Sequence, residues 1–327
     1  MSVSNINKIG SESSDIIDQP VKKKIIKGLT RSDLKAIEAS VNILQNEPTG
    51  GDLVFMHSVM CKVGLPRSSV DGLEFERING NAGINIRAGK LWDGKKFVQQ
   101  PLPFGSIPRL VLAYLNTLAL RQKSPVIDVG SSARDFLKKL GKDSSGGVNG
   151  SLTSLRKQMA ALAACNITIG LTTDDSAITY DGKPIQKFEA FLLDQEEKTP
   201  LWPRHITFSH EYYETLKKHA VPLDIRAVKA LSSSALAVDL YVMLADRLHR
   251  VYGRPVTLYW RNLLDQFGHE YAGKHGEKNF KKAFLVAFKK VELVYPGANV
   301  KVVTGGILMS HSNPPVNYKA TPCYDLT

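Results

Sequence analysis

One order of elements is written twice along this chain of 327 residues. In the first copy, "SIPRLVLAYLNTLALRQ" has the continuous apolar content of a buried helix. "SPVIDVG" reads as a short strand and "SSARDFLKKLG" as a serine-capped helix stopped by Gly141. "GGVNGSLTSLRKQMAALAAC" then reads as a further helix after a glycine-rich turn. "NITIGLTTDDSAITYDGKPIQKFEAFLLD" follows as strand, turn, strand. The second copy runs "SSSALAVDLYVMLADRLHRV", "PVTLYW", "RNLLDQFG" with its stop at Gly268, "GEKNFKKAFLVAFKKVELV", and "ANVKVVTGGILMS" as two strands around a Gly-Gly tip. A supersecondary unit that recurs in this way implies two modules built alike. The order helix, strand, helix, helix, strand, wing, strand is that of the winged helix, a variant of the helix-turn-helix.

The expected fold class is therefore α+β, with two tandem winged-helix (helix-turn-helix) domains and a flexible N-terminal tail. Residues 1–50 are assigned to the tail and a leading helix. Residues 51–200 form the first winged-helix domain with an N-terminal β extension, and 201–327 the second with a C-terminal tail. "QEEKTPLWP" serves as the linker. In the leading helix, "TRSDLKAIEASVNILQ", Leu34, Ile37, Val41 and Leu44 recur at helical spacing, with Thr30 or Ser32 as cap. Ser106 is the N-cap candidate of the first long helix, with Pro108 in its first turn. Asp-Gly in "WDGKKF" is the dipeptide of a tight hairpin. "VKKKIIKG", Val21 to Gly28, reads either as a solvated tail or as a basic arm.

Charge adds a partner to this architecture. The formal net charge is +12, and an excess of that size favours a polyanion such as nucleic acid or an acidic membrane face. Residues 131–165 and 269–290 each hold six basic and two acidic residues. Eight of the twelve net charges thus sit in the two helix-turn-helix segments, where a merely basic surface would have spread them. Projected at 100° per residue, the last long helix gathers Phe280, Ala283, Phe284, Ala287, Phe288 and Val291 on a core face, with Lys278, Lys282 and Lys289 nearly opposite. In the first copy Leu152, Leu155, Met159 and Leu162 face inward, and Thr153, Ser154 and Lys157 outward. Ala160, Ala161 and Ala164 leave room for close approach by DNA or a neighbouring helix. The polar entrance "SSGGVNGS" offers helix-terminal N–H groups to phosphate and short side chains to base edges. The candidate DNA-binding residues are Lys142, Asn149, Ser151, Ser154, Arg156, Lys157, Lys274, Lys278, Asn279, Lys281, Lys282 and Lys289, with Arg156, Lys278 and Lys282 foremost.

Other chemistries find little support. There is no G-x-x-x-x-G-K-[ST], hence no P-loop. In "HEYAGKH" the histidines are six apart with a glycine between, unlike a zinc motif, and the pair His57 and Cys61 supplies only two ligands. Tyr212 and Tyr213 stand side by side as in nicking enzymes, but without the clustered histidines those need. No catalytic residue, metal or cofactor is expected. Three scattered cysteines, Cys61, Cys165 and Cys323, suit a reducing cytosol. No signal-like or spanning apolar run occurs, so a cytoplasmic location without membrane contact is expected.

The runs "FMHSVMCKVGLP", "PLPFGSIPRLVLAYL", "SSARDFLKKLG" with "GGVNGSLTSLRKQM", "ALAVDLYVMLADRL" with "LYWRNLLDQFG", and "VYPGANV" together resemble plasmid-encoded RepA-type replication initiators. The similarity extends over roughly residues 53–316 and leaves out the tails. It implies a tandem winged-helix protein that binds repeated sequences (iterons) in double-stranded DNA at a plasmid origin. Such a protein helps to open an adjacent AT-rich region and recruits the host initiator and replicative helicase. A homodimer that represses its own gene is also implied for some members. No catalytic residue is carried over. A winged-helix transcriptional repressor is the alternative reading. A protein-binding adaptor is a third, and the clustered basic charge speaks against it.

Overall fold

The computed structural model describes residues 29–147, 150–172, 175–190 and 202–317. The expected flexible tail, the segment Val21–Gly28, Asn149 and Cys323 lie outside the described residues. The chain is α+β. A helix α1 (Arg31–Gln45) leads into strand β1 (Leu53–His57) and a one-turn helix α2 (Ser58–Lys62). Strands β2 (Glu74–Asn79), β3 (Ala82–Arg87), β4 (Lys90–Trp92) and β5 (Phe97–Gln99) come next. They are followed by α3 (Ser106–Gln122), β6 (Val126–Asp128), α4 (Ala133–Lys139), α5 (Ser151–Ala164), β7 (Asn166–Thr172), β8 (Ala177–Gly182), β9 (Ile185–Ala190) and β10 (Pro203–Phe208). The remainder is α6 (His210–His219), β11 (Ala220–Asp224), α7 (Ile225–Leu231), α8 (Ala235–Arg247), β12 (Val256–Tyr259), α9 (Trp260–Phe267), α10 (Gly276–Val294), β13 (Val300–Val303) and β14 (Gly306–Met309).

Local signals set most helix starts. Thr30 caps α1: its hydroxyl accepts from Asp33 N, and the Asp33 carboxylate accepts from Thr30 N at 2.7 Å. Ser132 and Ser234 cap α4 and α8 by the hydroxyl alone, which accepts from Asp135 N and Ala237 N. Ser106, however, is the first residue inside α3, and the cap position falls to Gly105. The face of α1 also differs from expectation. Ala36 and Ser40 are buried, whereas Leu34 and Leu44 are 46% and 60% exposed. Small residues let α1 lie close against α7 and α10, so the apolar stripe of larger side chains is turned away.

The repeat is realised in the strand pairing. β12, β14 and β13 form an antiparallel sheet in that order, with β12 ahead of α9 and the β13–β14 hairpin after α10. In the first half, β6, β10 and β9 form a sheet of the same order. The strand-turn-strand expected directly after α5 is therefore not the hairpin that returns to β6. β7 and β8 join β2 and β3 in a separate four-stranded sheet, order β2-β3-β7-β8, inserted into the first copy. The expected division at residue 200 likewise does not coincide with the pairing. β10 starts at Pro203 and pairs with β6 and β9, while Trp202 packs on Phe136 and donates its indole N–H to the Gly130 carbonyl at 2.7 Å.

Each copy opens with a strand and a short helix, β1–α2 and β11–α7. The two strands pair with each other, antiparallel and centred on Phe55 opposite Pro222. This pairing ties the two halves together at a fixed register. A single hydrophobic core runs through both, from Ala36 to Met309.

At the centre of that core Arg109 of α3 meets Asp239 of α8. Nε and a terminal N–H of the guanidinium donate to the two carboxylate oxygens at 2.5 and 2.8 Å. The remaining N–H groups donate to the carbonyls of Leu65, Pro66 and Gly105. Both side chains are under 8% exposed. The fork is fully partnered, which makes the charge tolerable at this depth.

A cavity of about 260 Å³ opens between α2, β7 and α6. His57 lines it, buried, with Nδ1 accepting from Val59 N and Nε2 3.2 Å from the Thr215 hydroxyl. Burial, and then the neighbouring His219, push its pKa down to about 4. Tyr212 beside it is buried, and its hydroxyl donates to Asn116 Oδ1 at 3.0 Å. Tyr212, one of the two adjacent tyrosines, is therefore committed to packing.

Two outcomes follow from the core. Asp239→Asn should lower stability by about 3–5 kcal/mol, read from denaturant midpoints, because it strands a buried guanidinium. The double replacement Arg109→Met/Asp239→Leu should cost less than the single change. For His57, the folded pKa lies below the ordinary value near 6.5, so the unfolded chain binds the proton first. Stability should fall as pH drops from about 6.5 toward 4, by up to about 1.4 kcal/mol per pH unit. His57→Gln should flatten that part of the profile, measured by urea denaturation at pH 7 and pH 5.

Candidate nucleic-acid interface

α10 is held by one aromatic stripe. Phe280, Phe284 and Phe288 are each no more than 2% exposed, Trp260 stands edge-on to Phe284, and Val291 closes the row. Burying that face points the opposite one outward. Lys278, Asn279, Lys282 and Lys289 are exposed along it, and Lys274 is exposed in the preceding turn. Lys281 leans over the Trp260 ring at 4.8 Å, which leaves it half-buried at the edge of the ridge. Lys290 turns the other way and pairs with Asp33 of α1 at 3.1 Å, so it adds nothing to the ridge.

A groove of about 560 Å³ runs along one side of this helix. Asn279, Lys282 and Val286 face the first turn of α8 across it. Arg67, from the loop before β2, forms its end. The Arg67 side chain is 4% exposed, lies 2.5 Å from Glu270 Oε1, and keeps a buried Nε with no hydrogen-bond partner. Burial pushes the Glu270 carboxyl up, but His269 and Arg67 outweigh it and hold the pKa below the ordinary glutamate value. Arg77 donates to His269 Nδ1 at 2.8 Å, and burial pushes its own pKa down to about 10. The α9–α10 turn is therefore braced by residues of the first copy.

α5 presents less than expected. From Gln158 to Cys165 every residue is buried. Segment 88–104 covers what would have been its outward side, and Gln158 Oε1 accepts from Phe104 N at 2.8 Å. The neighbour that Ala164 admits is Gly89: a Cβ there would stand 2.1 Å from the Ala164 carbonyl oxygen. Close approach by those alanines is thus to protein. Lys157 is exposed, while Ser154 and Arg156 are half-buried, and Arg156 Nε is buried without a hydrogen-bond partner. The entrance also differs from expectation. Ser145 Oγ accepts from Ser151 N, and the Ser151 hydroxyl donates to the Asp143 carbonyl at 2.6 Å. Ser151 and its N–H are spent on the turn instead of standing free for a phosphate or a base.

In exchange the first turn collects cations from afar. Arg31 and Lys35 of α1 reach Asp143 at 3.3 and 3.6 Å. Lys229 of α7 lies against Gly141, whose φ of +74° and want of a side chain permit that approach. Lys142 is half-buried, and burial together with Lys35 pushes its pKa below the ordinary lysine value. Arg31, Lys35, Arg67 and Lys229 escaped the sequence reading because nothing in their local pattern marks them; contacts across 88 to 203 residues bring them in.

Among the described residues no group of three His, Cys, Asp or Glu side chains could hold a metal ion, and no helix is long and apolar enough to cross a membrane.

Fold and surface together define a two-copy α+β protein whose cationic helix faces and turns are set on one shared core. A family model described as plasmid encoded RepA protein matches residues 102–260. Over that stretch, a little under half of the chain, the sequence is similar to plasmid-encoded RepA proteins, in line with the resemblance noted above. No curated protein and no solved structure matches the chain. The matched stretch contains Arg109, Asp239 and the whole of α5, and ends at the first residue of α9. The case for α10 therefore rests on its geometry alone.

Gly89→Ala should lower stability by about 1–3 kcal/mol through overpacking against α5, seen as a lower thermal midpoint.

Proposed function

We propose that this protein is a plasmid replication initiator which binds an origin and reads repeated sequences in double-stranded DNA. Its two helix-turn-helix units would lie in neighbouring major grooves on one face of the duplex. The observation that carries this reading is the ridge of Lys278, Asn279, Lys282 and Lys289 on the outer side of an aromatic-packed helix. That helix directly follows a strand, a helix and a turn, and precedes a hairpin returning to the same strand. The matching orders β12-β14-β13 and β6-β10-β9 support a winged-helix assignment for both copies. Lysines on the ridge would hold phosphates and fix register; Asn279 would reach a base edge. In the first copy the contacts narrow to Lys142, Ser154, Arg156 and Lys157, joined by Arg31 and Lys35.

The protein would act in the bacterial cytoplasm by binding and not by catalysis. Opening of the origin would draw on the energy of several bound copies deforming the duplex. Recruitment of the host initiator and helicase belongs to the same reading. A shared core favours a fixed spacing between the two reading helices over a flexible tether, so repeats should match the protein in length and phase.

Lys282→Glu should abolish binding to a fragment of the plasmid's own origin while leaving the thermal midpoint nearly unchanged. Binding by the unaltered protein should weaken with salt, the log of affinity falling by about 0.9 per phosphate contacted for each log unit of salt. Regularly spaced footprints over direct repeats would support the initiator. A single operator-like footprint would favour the repressor, and a salt response near zero would remove the DNA reading.

A further inference from the structure

The β4–β5 hairpin has no part in the interface above. Its register places Lys90 opposite Gln99, Leu91 opposite Val98 and Trp92 opposite Phe97. Side chains alternate across a two-stranded ladder. Leu91 and Val98 are half-buried on one face, with Leu91 packed against the main core. Lys90, Trp92, Phe97 and Gln99 share the other. Trp92 is 58% and Phe97 68% exposed, and their rings meet edge to face with centroids 5.2 Å apart. The tip between them is rigid: the Asp93 carboxylate accepts from both Lys95 N and Lys96 N at 2.8 Å. Lys95 and Lys96 therefore stand exposed next to the aromatic pair, with Lys90 at its foot.

Two large rings left in water, held by a well-defined turn and ringed by three lysines against one aspartate, ask for a specific kind of partner. The rings need flat apolar groups to cover them. The lysines need regularly placed negative charge. A duplex offers the charge but keeps its base faces stacked and closed, whereas a single polynucleotide strand offers both together. We propose that this hairpin is a stacking platform for single-stranded DNA, with Trp92 and Phe97 each receiving a base and Lys90, Lys95 and Lys96 holding the backbone. The proposal shares the polyanion reading of the preceding section but uses none of its contact residues. The hairpin leans on the C-terminal half of α5, the half that is sealed. The platform is thus placed beside the first copy's duplex-reading end and not on it.

The chain has three tryptophans. Trp202 and Trp260 are buried at 7% and 6% exposure, so Trp92 dominates any change in fluorescence caused by a surface ligand. The test titrates the full-length protein with a thymidine oligonucleotide of about 12 nucleotides, within the usual span of such sites. A duplex fragment of the plasmid origin is titrated in parallel. The single strand should quench Trp92. Trp92→Ala and Phe97→Ala should each weaken single-strand binding by roughly tenfold or more, and leave duplex affinity and the thermal midpoint unchanged. Trp92→Phe should keep most of the affinity and lose the fluorescence change. Lys95→Glu/Lys96→Glu should reduce both the affinity and its salt dependence.

Single-strand binding that survives Trp92→Ala, in protein that still binds the duplex, overturns the proposal. So does an equal loss on both DNAs, which would make the hairpin part of the duplex contact. A changed sedimentation coefficient as the only effect would also overturn it, by assigning the aromatic face to a second copy of the chain. Binding to a uridine oligoribonucleotide with none to the thymidine strand would overturn the DNA assignment. Failure of the unaltered protein to bind the duplex would sink the initiator reading alone, since the thymidine titration reports on the hairpin separately.

Discussion

The buried pair Arg109–Asp239 is where the two halves become one protein. α3 and α8 are the first long helices of their respective copies, and each contributes one charge to a site almost closed to solvent. Alone, either charge would be very costly to bury. Together, with three backbone carbonyls completing the guanidinium's bonds, they hold the helices at one distance and orientation. Apolar packing of similar volume could supply as much stability. It would tolerate sliding, which a bidentate fork does not. The β1–β11 pairing adds a second connection of fixed register.

This junction matters for function because everything outward is built upon it. Arg67 and Arg77 leave the first copy to brace the turn before α10. Arg31 and Lys35 reach the turn before α5 from a helix that lies against α7 and α10. Each of these turns is thus steadied by residues of the other copy or of α1. On the DNA reading proposed above, a pair of readers mounted in this way would have one spacing and one relative angle. Their partner would have to match that geometry, and the entropy of arranging the two readers would be met when the protein folds instead of when it binds.

The two copies have also diverged in what they expose. α10 shows a long cationic ridge. α5 shows only its first two turns, because segment 88–104 covers the rest and Gly89 lets the backbone come against Ala164. The inserted strands β2 to β5, β7 and β8 are the cause, and they have no counterpart in the second half. The same insertion carries the exposed Trp92–Phe97 hairpin, so the first copy has less of its helix available and a different surface in its place.

The sequence by itself determined the elements. Serine caps, glycine stops, the phenylalanine stripe of α10 and the Asp-Gly hairpin are local signals, settled by neighbours a few residues away, and the structure honours them with small shifts such as Gly105 for Ser106. The doubled order and the concentration of charge were legible for the same reason, as was the outward set Lys278, Lys282 and Lys289, since an amphipathic helix has only one face to bury. Tertiary structure alone decided which strands pair. β6 takes β10 across 75 residues, and no pattern within either strand says so. It also decided which charges are spent and which are free. Lys290 and Lys282 look alike in sequence, yet one lies 3.1 Å from Asp33 and the other faces solvent. Ser151 looks free until Ser145 and Asp143 claim it. Such outcomes depend on which distant backbone arrives at the site, and that is a property of the whole fold.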